Sequence, residues 1–217
     1  MMDRKPPDYI VIEGPIGVGK TSLARRLADS FETDLLLEGA AENPFLERFY
    51  RDPRSGALPA QLFFLFQRAR QIEDMRQSDM FQPVRVADFL LEKDRLFAEL
   101  TLDADELQLY NQVYEHVTLD APAPDLVIYL QAPEDVLLKR IAKRGIRYER
   151  RIDATYLRNL SEAYSRMFLN YEAAPVLIVN AEHINLVDND RDYEALLEQI
   201  HVTRQGKHYF NPMATEI

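Results

Sequence analysis

Cysteine is missing from all 217 residues. Disulfide frameworks and thiolate zinc sites are therefore excluded, and the absence suits a cytoplasmic protein. Nor does any apolar run reach the ~18 residues of a membrane-spanning helix, so no membrane association is expected. The opening MMDRKPPDY has no hydrophobic signal region and no small-residue cleavage site, and residues 1–8 are expected to be a disordered lead-in. Internal repeats and low-complexity segments are absent as well. Positive charge is in deficit, leaving a formal net charge of −10. A diffusely acidic surface argues against a nucleic-acid polymer as partner, because phosphate backbones recruit lysine and arginine. The simplest use of that charge is solubility.

What is present is an alternation of short apolar runs with amphipathic ones. Tyr9–Glu13, Asp34–Glu38, Val84–Asp88, Leu126–Gln131 and Val176–Asn180 read as strands, the richest in Ile, Val and Leu being suited to burial on both faces. Lys20–Phe31, Asn43–Tyr50, Pro59–Gln77, Asp103–His116, Pro133–Arg144, Asp153–Phe168 and Arg191–His201 read as helices. Pro44 suits the first position of the second of these, and Asp103 with Glu106 marks a capped start. Strand alternating with helix implies an α/β fold of three layers around a five-stranded parallel sheet. Residues 9–201 are expected to form this one domain, followed by a tail, 202–217, without clear periodicity.

The stretch Gly14-Pro15-Ile16-Gly17-Val18-Gly19-Lys20-Thr21 matches G-x-x-x-x-G-K-[ST] and lies between a buried strand and a helix, the context that motif requires. Gly14, Gly17 and Gly19 let backbone N–H groups turn toward an anion, and the helix start, with Ser22 in its first turn, adds its positive dipole end. Lys20 is expected against the β- and γ-phosphates of ATP, and the Thr21 hydroxyl on Mg²⁺. Base-reading N/T-K-x-D, the mark of a GTPase, is absent. A late basic cluster, Lys139, Arg140, Lys143, Arg144, Arg147, Arg150 and Arg151, suggests a lid that clamps a transferring phosphoryl group.

Beyond the loop, four stretches resemble the deoxynucleoside kinase family: LLLEGAAENPFLERFYRDP, QLFFLFQRARQ, VADFLLEKDRLFA, and KRIAKRGIRYE followed by YL. The likeness runs from about Ile10 to about Ile200. It implies a P-loop kinase fold with an Arg-rich lid and transfer of a γ-phosphoryl group from ATP, with Mg²⁺, to the 5′-hydroxyl of a deoxynucleoside in nucleotide salvage. It also implies roles for single residues. Glu38 is the general base, Tyr50 and Glu149 reach the sugar 3′-hydroxyl, and Gln61 reads the base edge. Arg68 and Asp94 form a base-reading pair whose donors and acceptor suit purines or cytosine better than thymine. Phe64 and Phe97 wall the base, Arg140 and Arg144 meet the phosphates, and Asp88 helps Thr21 hold Mg²⁺. A homodimer joined through helices is in keeping with the resemblance.

Two departures qualify it. The family's Asp/Glu-Arg-Ser reads Asp88-Phe89-Leu90 here, and its lid Arg-x-Arg reads Arg144-Gly145-Ile146. Two arginines expected near the transition-state charge are thus out of place, and Lys93, Arg95 and Arg147 are the candidates to replace them. Three readings follow: an active, purine-preferring kinase; a nucleotide-binding protein without catalysis; and a kinase for a nucleoside monophosphate, with Arg48, Arg51 and Arg54 as extra cations.

Overall fold

The computed structural model describes residues 7–77, 85–117 and 121–212. Most of the expected lead-in lies outside these residues. So does Val84, the expected first residue of the third strand.

One parallel sheet forms the middle layer. Its strands are β1 (Tyr9–Glu13), β2 (Asp34–Leu36), β3 (Arg85–Ala87), β4 (Leu126–Gln131), β5 (Val176–Asn180) and β6 (Lys207–Phe210), in the order β2-β3-β1-β4-β5-β6. The register sets Val11 beside Ala87 on one side and Val127 on the other. Side chains alternate across the sheet, as the two-residue period of a strand requires. Ile10, Ile12, Leu126, Ile128, Leu130, Leu177 and Val179 face one core; Val11, Val127, Tyr129, Val176 and Ile178 face the other.

The helices are α1 (Lys20–Phe31), α2 (Leu46–Arg51), α3 (Pro53–Gln77), α4 (Lys93–Thr101), α5 (Ala104–Val117), α6 (Glu134–Arg144), α7 (Ala154–Asn170) and α8 (Asp190–Val202). Leu23 and Leu27 of α1, Leu137 and Ile141 of α6, and Leu196 and Ile200 of α8 cover the first face. Leu96 of α4 and Leu160, Tyr164 and Phe168 of α7 cover the second. Asp103 caps α5 by accepting from the N–H of Asp105 and Glu106, and Asp153 and Asn189 cap α7 and α8 in the same way.

The five-strand expectation is corrected to six among the described residues. The tail, 202–217, has no clear periodicity in the sequence, yet Gly206 turns at φ +67° and the chain re-enters the sheet as β6. This edge strand is only half-buried, so no apolar run announces it. Two helix starts are corrected as well. Asn43 and Pro44 precede α2 in a turn, where the Asn43 carboxamide oxygen accepts from the Phe45 N–H. The long helix begins at Pro53, six residues earlier than expected, and carries Pro59 inside it. Helix α4 had no counterpart in the sequence reading. Its first turn buries Lys93 and Asp94, which hides the apolar period.

Strand order reverses at β1, between β3 and β4. The carboxyl end of such a strand is where parallel α/β sheets open a crevice for ligands.

Candidate active site

The loop after β1 fills that crevice. Gly14, Gly17 and Gly19 have φ of 144°, 84° and 108°, values that only glycine adopts without strain. A Cβ on Gly17 would stand 2.8 Å from Ile141 Cγ1 and 3.0 Å from the Leu137 carbonyl oxygen, so α6 packs against the loop through this glycine. Lys20 Nζ donates to the carbonyls of Gly14 (2.7 Å) and Pro15 (3.3 Å) and so spans the loop. Burial pushes the Lys20 ammonium below its ordinary pKa, and nearby Lys93 adds to that.

A cavity of about 710 Å³ lies over the helix start, walled by Gly17, Lys20, Thr21, Ser22, Arg140 and Arg144, among others. Arg140 donates to the carbonyls of Val18 (3.2 Å) and Ala181 (2.7 Å), tying the loop to the segment after β5. A second, more enclosed cavity of about 140 Å³ adjoins it. Glu38, Tyr50, Gln61, Phe64, Arg68, Asp88, Lys93, Phe97 and Glu149 line it. Gly17, Lys20, Thr21 and Arg144 belong to both walls, which makes them the junction between the two cavities.

At that junction a chain of ionic contacts runs across the strand ends. Thr21 Oγ1 donates to Asp88 Oδ2, and Asp88 Oδ1 accepts from the Glu38 N–H at 2.6 Å. Burial pushes the Asp88 carboxyl up, against the pull of those two donors. The Glu38 carboxylate takes Lys93 Nζ on Oε2 at 2.8 Å and Arg68 on Oε1. Burial alone would raise the Glu38 pKa, but Lys93, Arg68 and Lys20 together hold it well below the usual carboxylate range. Arg68 also pairs with Asp94 and lies over the Phe64 ring, 4.9 Å from its centroid. Arg68 Nε and Asp94 Oδ2 are buried with no hydrogen-bond partner among the described residues. That leaves one free donor and one free acceptor on a single pair.

The remaining expected residues gather here too. Gln61 is buried and donates to Thr101 Oγ1 at 3.3 Å. The ring of Tyr50 stacks on Tyr148 at 5.6 Å, and Phe97 meets Tyr164 edge-on. Arg144 and Glu149 engage one another: Nε donates to Oε2 at 3.0 Å and Nη2 to Oε1 at 2.6 Å. The resemblance expects them on phosphate and sugar, so this is a pairing that sequence did not indicate.

Of the three candidate replacement cations, the geometry selects one. Arg147 pairs with Glu47 on the surface, and Arg95 lies over Tyr114. Lys93 alone of the three lines the inner cavity. A residue that the sequence did not single out is Glu13, the fully buried last residue of β1. It accepts from the Gly14 N–H (2.9 Å), the Tyr164 hydroxyl (2.9 Å) and the Leu90 N–H (2.8 Å), and it stands 3.4 Å from Lys93 Nζ. An acid directly before the first loop glycine, after a wholly apolar strand, was the signal available for it.

Magnesium suits this donor set only in part. Among the described residues no group of three or more His, Cys, Asp and Glu is placed to hold a metal. One hydroxyl backed by one carboxylate is the provision a hydrated Mg²⁺ needs when nucleotide phosphates supply its other ligands.

Comparison with known proteins gives the following. Residues 10–203 match the deoxynucleoside kinase family. The chain is 36% identical over 200 residues to a deoxyguanosine kinase of Bacillus subtilis (strain 168), covering 88% of this chain and 95% of that one. It is 31% identical over 205 residues to a deoxyadenosine kinase of Lactobacillus acidophilus, covering 88% and 94%. A deoxyadenosine kinase from M. mycoides with bound dATP shares the fold, with a TM-score of 0.75 at 23% identity over 89% of this chain and 98% of that one.

Proposed function

The chain belongs to the deoxynucleoside kinase family, and from that premise we propose that it transfers the γ-phosphoryl group of ATP to the 5′-hydroxyl of a purine deoxynucleoside in nucleotide salvage. One observation carries this reading: the Glu38 carboxylate lies in the inner cavity beside Lys20 and Thr21, where a nucleoside hydroxyl and a loop-bound triphosphate would meet.

Lys20 exchanges the two loop carbonyls for β- and γ-phosphate oxygens, and the backbone N–H groups of Gly17 to Thr21 surround the anion. Thr21 and Asp88 are the residues that would hold Mg²⁺, and the ion would supply charge neutralisation on the phosphates. Arg140 and Arg144 flank the same phosphates. In the inner cavity Tyr50 and Glu149 hold the sugar, Phe64 and Phe97 wall the base, and Gln61, Arg68 and Asp94 read its edge. A purine or cytosine edge offers donors and acceptors that match the free Arg68 N–H and Asp94 oxygen. Glu38 receives the hydroxyl proton. Its depressed pKa is compatible with that task, because a loose phosphoryl-transfer transition state releases the proton late.

An uncharged nucleoside is favoured over a monophosphate as acceptor. Arg48, Arg51 and Arg54 are exposed and do not line the inner cavity. A cytoplasmic setting and a homodimer are part of the proposal; Phe66 of α3 and Leu109 of α5, 53% and 49% exposed, are apolar side chains that pairing through helices would cover.

The test is phosphoryl transfer from Mg-ATP to deoxyadenosine, deoxyguanosine, deoxycytidine and thymidine, and to their monophosphates, with Glu38→Gln as control. Purine turnover lost in the variant is expected. ATP binding without turnover on any acceptor would leave the non-catalytic reading standing, and faster turnover on monophosphates would overturn the choice of acceptor.

A further inference from the structure

Phe89 stands where the family pattern has an arginine, and its ring, with its centroid 5.9 Å from the Arg68 guanidinium carbon, brings no charge to Glu38. It is fully buried in the apolar cluster of Leu65, Ile72, Leu91, Ala98 and Tyr110. Besides Arg68, the cation beside Glu38 comes from four residues further along, at the first residue of α4. Lys93 is 2% exposed and places Nζ 2.8 Å from Glu38 Oε2 and 3.4 Å from Glu13 Oε1. Its charge is also felt at Lys20 and at Asp88.

A lysine this deeply buried needs compensation, and here two carboxylates provide it. Glu13 is itself fixed by two backbone N–H groups and the Tyr164 hydroxyl, which come from the loop start, the turn after β3, and α7. The ammonium is therefore anchored from three directions. An ammonium has only donors to give, so its contact with Glu38 Oε2 fixes that oxygen and leaves Oε1, where Arg68 now rests, to face the acceptor.

The geometry points to Lys93 as the residue that positions Glu38 for catalysis, with Glu13 as its anchor, in place of the arginine that Phe89 displaces. This rests on the kinase reading above. In the step it serves, the 5′-oxygen bonds to the γ-phosphorus while the bond from that phosphorus to the bridging oxygen breaks. ADP leaves with the electron pair, and the hydroxyl proton passes to Glu38 Oε1. Lys93 neither gives nor takes a proton. It holds the carboxylate in line and balances a neighbourhood where Glu13, Glu38 and Asp88 gather.

The missing cysteines make a direct test available, since Lys93→Cys would carry the chain's sole thiol. Alkylation of the unfolded full-length variant with 2-bromoethylamine rebuilds an ammonium at lysine length; bromoethane builds a neutral copy. Wild type is taken through the same unfolding and refolding. Lys93→Met, expressed directly, repeats the neutral case without chemistry. The neutral forms are expected to bind ATP as wild type does and to keep the nucleoside KM within about threefold, while kcat falls by about 10²-fold or more. The aminoethylated form is expected to regain kcat to within about tenfold of wild type. A purely structural counter-ion would not produce that split.

The proposal is overturned if a neutral form keeps kcat within about threefold of wild type. It is equally overturned if the neutral forms fail to fold or to bind ATP, which would assign Lys93 to stability. A folded aminoethylated form that stays inactive would also sink it. If wild type itself turns over no deoxynucleoside, the kinase reading fails first, and it fails before any variant is made.

Discussion

Replacing Glu13 by glutamine should be among the most damaging single-atom changes in this protein. The side chain is wholly buried and each carboxylate oxygen serves two donors: Gly14 N–H and Tyr164 O–H on Oε2, Leu90 N–H and Lys93 on Oε1. A glutamine turns one oxygen into an NH₂ group that points donors at donors. The less harmful orientation puts NH₂ toward Oε2's partners, because the Tyr164 hydroxyl can rotate and accept. Gly14 N–H is then left buried and unpaired, at about 1–3 kcal/mol. Lys93 keeps Glu38 but loses the second of its two charged partners, and an interaction with a charged group contributes about 1.5–3 kcal/mol. The sum, about 2.5–6 kcal/mol, is a large share of the roughly 5–15 kcal/mol that keeps a domain folded. Urea denaturation of the ligand-free protein measures it, followed by far-UV circular dichroism because the chain has no tryptophan. The midpoint should fall with little change in slope. Tyr164→Phe should lose only about 1 kcal/mol, and the double variant less than the sum, since both remove the same bond. A loss below about 1 kcal/mol for Glu13→Gln would refute the description of Glu13 as the fixed point of the loop.

Three further outcomes are expected. Gly17→Ala must place a Cβ against Ile141 and the Leu137 carbonyl at a left-handed φ, a strain of about 1–3 kcal/mol; ATP titration should show affinity reduced about tenfold or more, and an unchanged Kd would contradict the packing of loop on α6. Glu38 has its folded-state pKa depressed, so it contributes stability that is present above its ordinary value of 4.5 and is lost as pH falls below it. The gap in melting temperature between wild type and Glu38→Gln should therefore narrow from pH 6 toward pH 3, all at about those values; a constant gap would show that the ion pairs do not form. Asp94→Asn should cut kcat/KM on purine deoxynucleosides by about 10–100-fold and spare thymidine relatively, as loss of a charged hydrogen-bond partner implies; equal losses on all four substrates would remove Asp94 from base reading.

The sequence made the centre of the fold legible because several signals coincide there. A four-residue apolar run, three glycines at fixed spacing, Lys-Thr and an amphipathic period all agree across β1, the loop and α1. Farther out the signals thin. Strand β6 is half-buried at the sheet edge, so its residues follow no clean alternation. Helix α4 turns Lys93 and Asp94 inward, and a helix that buries its charges cannot be found by its apolar face. The same inversion concealed the Lys93–Glu13 pair: buried polar residues are specified by partners distant in sequence, such as Tyr164, 151 residues beyond Glu13. Resemblance placed Glu38, Gln61, Arg68 and Glu149 around one cavity, but it could not show that Arg144 and Glu149 hold one another.

Arg68 is held by two carboxylates at once, Glu38 on one side and Asp94 on the other. A guanidinium turned toward a nucleobase must loosen its grip on Glu38. On the proposed roles, recognition and reactivity would share one moving part: a nucleoside that failed to engage Arg68 would still occupy the pocket, yet leave the Oε1 lone pairs engaged. Discrimination among bases would therefore be written in turnover number more than in affinity, and a wrong base would act as an idle occupant that slows the enzyme in proportion to its concentration.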